Sequence, residues 1–128
     1  MDITAPPKEL QIAFCTTCKG RTPHIRETLP VNLHGNARAR FVLVNYNSPD
    51  QLDDLLRERH MGDIDSGRLS VYRFTEPGPF RMAHAKNLAH RLAISEGADI
   101  LVNLDADNFA GQAFDAYVAE RLSAHVDD

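Results

Sequence analysis

Residues 82–108 read MAHAKNLAHRLAISEGADILVNLDADN. Met82, Ala85, Leu88, Ala89 and Leu92 recur every three or four positions, the apolar stripe of an amphipathic helix, and Gly97 supplies its stop. An apolar run at 100–104 follows, of the length of a buried strand. Where it ends, Asp105 and Asp107 stand one residue apart. Like charges that close repel. Strand-end backbone aims alternate side chains to one side, so the two carboxylates either share a hard cation or simply mark the wet end of a strand. At this point both readings stand.

Working outward, the same alternation of helix and strand fills the chain. QIAFCTT at 11–17 is rich in strand formers and ends in the polar turn Lys19-Gly20-Arg21-Thr22-Pro23. Thr22 before Pro23 suits an N-cap with proline in the first helical position, and Ile25, Leu29 and Leu33 carry the helix to Gly35, with Pro30 expected to kink or shorten it. RFVLVNYN at 40–47 is a second buried strand, closed by Ser48-Pro49-Asp50. QLDDLLRERH at 51–60 places Leu52, Leu55 and Leu56 on one helical face, and Gly62, Asp63, Ser66 and Gly67 predict a loop. RLSVYRF at 68–74 alternates as a third strand, and Glu76-Pro77-Gly78-Pro79 is turn-rich. After Gly111, Phe114, Val118 and Leu122 predict a last helix over 112–124. Residues 1–9, with Pro6 and Pro7, predict a flexible arm, leaving one domain at 10–128.

Four strands alternating with four helices imply right-handed crossovers and a mainly parallel, Rossmann-like sheet covered on both faces, a three-layer α/β sandwich. In such sheets ligands bind at the carboxyl ends of the strands. Thr16, Thr17, Asn45, Asn47, Thr75, Asp105 and Asp107 all fall at those ends, so one rim collects the polar groups.

Composition narrows the classes. The chain of 128 residues has a formal charge of −4 and a pI near 5.8, which argues against gripping nucleic acid or an anionic membrane by bulk charge. No apolar run approaches the roughly 18–20 residues needed to span a bilayer, and MDITAPPKELQ lacks the pattern of a signal peptide, so a cytoplasmic chain is expected. Cys15 and Cys18 form a C-x-x-C, but the first lies in a strand rather than opening a helix, which disfavours a thioredoxin-like role. Counted from Asp105, an EF-hand loop would need glycine at Ala110 and glutamate at Ala116, so that reading fails. G-x-G-x-x-G, the P-loop pattern and G-x-S-x-G are all missing. Lys19, Arg21, Arg81, Lys86 and Arg91 follow strand ends, where point charges and forks hold a polyanion such as a diphosphate or merely face solvent. Lys86 and Asn87 lie in the first turns of their helix, beside the rim.

The ordered set FCTTCKGR, VLVNYNSPD, AHAKNLAHRLAISEGADILVNL and DADN resembles the N-terminal, nucleotide-binding half of GT-A glycosyltransferases, the family 2 group in particular. The likeness covers about residues 10–124. In that family A-A-R-N-x-G leads through a helix and a strand into D-A-D; here Ala85-Lys86-Asn87-Leu88 precedes Asp105-Ala106-Asp107 at the expected distance. The resemblance implies that Thr16, Thr17 and Arg21 surround the nucleoside, that Asn45 and Asn47 approach the base, and that Lys86 and Asn87 border the diphosphate. It further implies that Asp105 and Asp107 hold the ribose and a divalent metal, Mn²⁺ or Mg²⁺, with a UDP-sugar as the first candidate donor and a sugar, lipid or protein as acceptor. Two substitutions depart from the pattern. Asn45 stands where the family has aspartate, adding an amide donor, and Lys86 replaces arginine, keeping the charge without the planar fork. Full members continue for roughly another domain, so the resemblance places the acceptor site and the catalytic base outside these residues, in further chain or in a partner. A non-catalytic nucleotide- or metal-binding module is the alternative.

Overall fold

The computed structural model describes residues 10–76 and 78–123; the arm expected at 1–9 and the expected helix end at Ala124 lie outside them. Nine elements follow in order: β1 (Ile12–Cys18), α1 (Thr22–Gly35), β2 (Arg40–Tyr46), α2 (Leu52–Arg59), α3 (Met61–Asp65), β3 (Leu69–Phe74), α4 (Met82–Ser95), β4 (Ile100–Asn103) and α5 (Phe114–Ser123). The strands form one sheet in the order β3-β2-β1-β4, and every pairing is parallel. The expected α/β layering is therefore present.

The sheet is buried on both faces because its central strands are apolar at nearly every position. β1 and β2 carry IAFCTTC and RFVLVNY, and only Thr17 and Arg40 escape full burial. Even-numbered β1 residues Ile12, Phe14 and Cys18 pack with Ile25, Leu29 and Leu33 of α1, the leucines of α2 and Ala119 of α5. Odd-numbered Ala13 and Cys15 meet Ala85, Ala89 and Ala93 of α4 on the other side. Small residues at i, i+4 and i+8 let α4 sit close to the strands. Among the described residues no helix is long and apolar enough to cross a membrane.

Local details differ from the sequence expectation for identifiable reasons. Thr22 is the first residue of α1 rather than its cap; Arg21 occupies the cap position without a side-chain bond, and the capping acceptor comes from another loop. Pro30 lies within α1 and neither ends nor shortens it. It is exposed, as is Arg26 one turn earlier, so the Arg26 carbonyl that loses its partner can turn to water. The loop expected after α2 contains the short helix α3, started by the Ile64 amide donating to the His60 carbonyl and braced by His60 Nδ1 and Asp63 Oδ2 at 3.1 Å. The last helix begins at Phe114, because Ala113 takes a left-handed φ of 56° while its amide binds the Gly35 carbonyl at 2.7 Å.

Candidate functional site

Because all the strands are parallel, the loops after β1, β2, β3 and β4 emerge on one rim. On it lies a cleft of about 400 Å³ lined by Thr17, Lys19, Arg21, Phe80, Met82, Asp105, Ala106 and Asp107. Two residues past β4 the D-A-D segment enters a turn, closed by the Asn108 amide donating to the Asp105 carbonyl at 3.0 Å. Ala106 points inward and is buried, while Asp105 and Asp107 are exposed on the cleft side. Lys86, from the first turns of α4, places Nζ 4.0 Å from Asp105 Oδ1. Lys19 and Arg21 stand in the loop after β1. The cleft thus pairs two carboxylates with cations from two separate segments.

The expected site residues divide into three groups. Thr17, Arg21, Asp105 and Asp107 line the cleft together, and Lys86 reaches Asp105. Thr16 and Asn45 lie beneath the rim, at 7% and 5% exposure. The Asn45 amide is engaged at both ends: Nδ2 donates to Asp53 Oδ1 at 2.9 Å, and Oδ1 accepts from the Ser48 amide at 2.9 Å. It fixes the turn that carries Asn47. Asn47 is exposed with a φ of 51°, a left-handed geometry that asparagine tolerates better than most residues. Asn87 is exposed on α4.

Several features of the site were not read from the sequence. Met82, read there as the first residue of the apolar stripe of α4, is exposed and with Phe80 forms an apolar wall facing the two acids. Phe80 sits edge-on to Tyr46 with centroids 5.2 Å apart, and Tyr46 stacks on Phe74 and shares a 2.9 Å bond between its hydroxyl and His84 Nδ1. Lys19 Nζ donates to the Gly78 carbonyl at 2.8 Å, crossing from the first loop to the third. Ser48 and Asp50 form a second crossing. Asp50 Oδ2 accepts from the Thr22 amide at 2.9 Å and Oδ1 from the Thr22 hydroxyl at 2.5 Å, capping α1 from outside, while the Ser48 hydroxyl donates to Asp50 and accepts from the Gly20 amide. Partial burial alone would raise the Asp50 carboxyl. The hydrogen bonds from Ser48 and Thr22 outweigh it and hold the group below its usual range.

The loop after β4 is bound most extensively. Thr28 and Asn32 stand four residues apart on the buried face of α1, among Ile25, Leu29 and Leu33, and Asn36 follows at the same spacing as its C-cap. The Thr28 hydroxyl donates to the Ala106 carbonyl at 2.8 Å; Asn32 donates to the Asn108 carbonyl at 3.1 Å and accepts from the Ala110 amide at 2.8 Å. Asn36 donates to the Gly111 carbonyl and accepts from the Asp115 amide. Asp115 in turn accepts from the Arg38 and Ala39 amides. The sequence signal for this ladder is a polar residue at every fourth position inside an apolar helical stripe.

Cys15 and Cys18 are buried free thiols on opposite faces of β1, one in each core layer. Burial pushes them up to about 12 and about 11 respectively, so neither forms a thiolate near neutrality, and they cannot reach each other through the sheet. Among the described residues no group of three or more His, Cys, Asp or Glu side chains converges as a self-sufficient metal cage. Two hard carboxylates in an open cleft nevertheless suit a divalent cation that completes its shell with water and the oxygens of a bound anion.

No protein-family model and no curated protein matches the sequence. Solved structures do match its fold. Residues 1–349 of S. aureus TarS in complex with UDP align over 91% of this chain at 16% identity with a TM-score of 0.71, and the same TarS segment alone gives 0.74. The mannosyltransferase PcManGT from Pyrobaculum calidifontis, in complex with GDP-Man and Mn²⁺, aligns over 91% at 23% identity with a TM-score of 0.68. The chain spans about a third of the length of each, 33% for TarS and 32% for PcManGT. The protein has a GT-A glycosyltransferase-like fold.

Proposed function

We propose that this chain is the donor-binding part of a glycosyltransferase that takes a nucleotide-diphosphate sugar, a UDP-sugar first, with Mn²⁺ or Mg²⁺ at Asp105 and Asp107. The observation that carries the reading is the D-A-D pair facing a cleft whose other walls supply Lys19 and Arg21, with Lys86 4.0 Å from Asp105. Asp105 and Asp107 would hold the cation, Asp105 also meeting the ribose. Lys86 and Asn87 would border the diphosphate, and Thr16, Thr17 and Arg21 the nucleoside. Asn47 would approach the base on a turn held by Asn45. The neighbours in fold support the donor class, one being a complex with UDP and another with GDP-Man and Mn²⁺.

In the implied reaction the bond between the anomeric carbon and the diphosphate oxygen breaks, its electron pair leaving with the nucleotide. An acceptor oxygen bonds to that carbon and gives up its proton. A divalent cation bound at the two aspartates would neutralise the leaving diphosphate. The chain's own contribution is to hold the donor, and Lys86 adds a further positive charge at that end. Among the described residues the cleft lining contains no histidine, cysteine or glutamate to take the acceptor's proton, which favours a base supplied from outside these residues. It also leaves room for the alternative, a nucleotide-binding module or subunit whose acceptor half comes from a partner.

Calorimetric titration with UDP and with GDP, each with and without Mn²⁺, tests the reading. Metal-dependent binding of one nucleotide is expected. Binding that is absent, or indifferent to both metal and Asp107→Ala, would sink it.

A further inference from the structure

The D-A-D loop has an internal anchor on the face of α1 turned away from solvent. Thr28 and Asn32 are 4% and 2% exposed, so their polar groups have no recourse to water and must be satisfied by protein. Both are satisfied by the backbone of this one loop. Thr28 takes the carbonyl of Ala106, the residue between the two aspartates. Asn32 uses its side-chain amide as a peptide group would, donating to Asn108 and accepting from Ala110. Successive rungs on α1 are about 6 Å apart, so the loop is fixed at spaced points along the helix.

That placement has a direct consequence for the acids. Asp105 and Asp107 are themselves exposed, and the contact to Lys86 is a loose 4.0 Å ion pair. Little about the aspartate side chains fixes where they stand; the backbone beneath them does.

We propose that Thr28 and Asn32 are positioning residues for the nucleotide-sugar site: from the far side of the loop they set the backbone from which Asp105 and Asp107 reach a cation. The inference rests on the function proposed above. Without these bonds the loop would remain attached to β1 through the Leu104 amide and Cys15 carbonyl, but the two carboxylates would no longer be presented at a fixed separation. Thr28→Val is the clean probe, because it keeps the branched shape and removes only the hydroxyl, while Thr28→Ser keeps the hydroxyl.

Mn²⁺ uptake is measured by loss of the free-ion electron paramagnetic resonance signal in the presence of UDP, and loop order by amide hydrogen exchange of the metal-free protein. Thr28→Val and Asn32→Ala are expected to weaken Mn²⁺ uptake by about tenfold, the scale of residues one step removed from a metal, and to speed exchange at residues 106–111. Thr28→Ser should stay close to wild type in both. Unchanged affinity in both variants overturns the inference, whether or not exchange rises. So does a Thr28→Ser protein as weak as Thr28→Val, since the hydroxyl is then not the operative group. Wild-type protein that takes up neither Mn²⁺ nor UDP overturns the proposed function itself, a result distinct from equal binding by wild type and variants.

Discussion

Two loops make the facing walls of the cleft, and they are anchored by different means. The acidic wall, after β4, is bound to α1 at Ala106, Asn108, Ala110 and Gly111 by buried side chains, and its far end is locked by Asp115. The apolar wall, after β3, meets the rest of the rim through the exposed Lys19–Gly78 bond and the Phe80 ring against Tyr46. A buried hydrogen bond whose partner is removed leaves a polar group stranded at about 1–3 kcal/mol, whereas an exposed one is replaced by water. The acid wall is therefore set before any ligand arrives, and the apolar wall is the side that can adjust. This division suits a site that needs two carboxylates at a fixed separation and a looser cover for the rest of its ligand.

The largest expected effect lies in the acids themselves. Asp107→Ala should weaken Mn²⁺-dependent nucleotide binding by more than about 100-fold, beyond the effect of residues one step from a metal, with little change in melting temperature because the side chain is exposed. Calorimetry and a thermal melt check the two halves.

Next comes the lock on the acid wall. Asp115 is 2% exposed and accepts from the Arg38 and Ala39 amides. Asp115→Ala should cost about 1–3 kcal/mol in urea unfolding, the scale of losing one buried hydrogen-bonding partner, since the Ala39 amide keeps the Asn36 carbonyl. A cost no larger than that of a surface change would break the contrast between the walls.

The loop after β2 offers an intermediate case with a pH signature. Asp50 titrates lower in the folded chain than in the unfolded one, so its contribution is complete above its ordinary value of 3.8 and is lost as pH falls through the lower folded value. The stability difference between wild type and Asp50→Asn should be steady from neutral pH to about pH 5, of the order of a helix cap, about 0.5–2 kcal/mol, and shrink below about pH 4. A difference that grew on acidification would contradict the assignment. Smallest of all, Lys19→Met removes the exposed strap of the apolar wall and should change stability by less than about 0.5 kcal/mol, with faster amide exchange confined to the segment around Gly78.

Much of the fold was readable because it depends on patterns local to each segment. The apolar run at 40–47 had to be a buried strand, the stripe from Met82 to Leu92 had to be a helix, and their alternation leaves little choice but a parallel sheet with one polar rim; the run at 100–104 is a strand as expected, but at the sheet edge it is only half-buried. The opposite facing of Cys15 and Cys18 was equally available, since three positions along a strand reverses the side. Where expectation and structure part over the start of α1, a distant partner is involved. Thr22 is not its own cap because Asp50, 28 residues on, supplies a better acceptor. Pro30 lies on the exposed side of α1, which runs on past it to Gly35.

The sequence by itself determined the layers, the rim and the paired acids, since hydrophobic period, turn chemistry and strand-end polarity act over a few residues. Only the tertiary structure decided how the acids are held. Thr28 and Asn32 lie 76 or more residues before the backbone they bind. Burial on the inner face of α1 turns their polarity from a blemish in an apolar stripe into the fixed seat of Asp105 and Asp107.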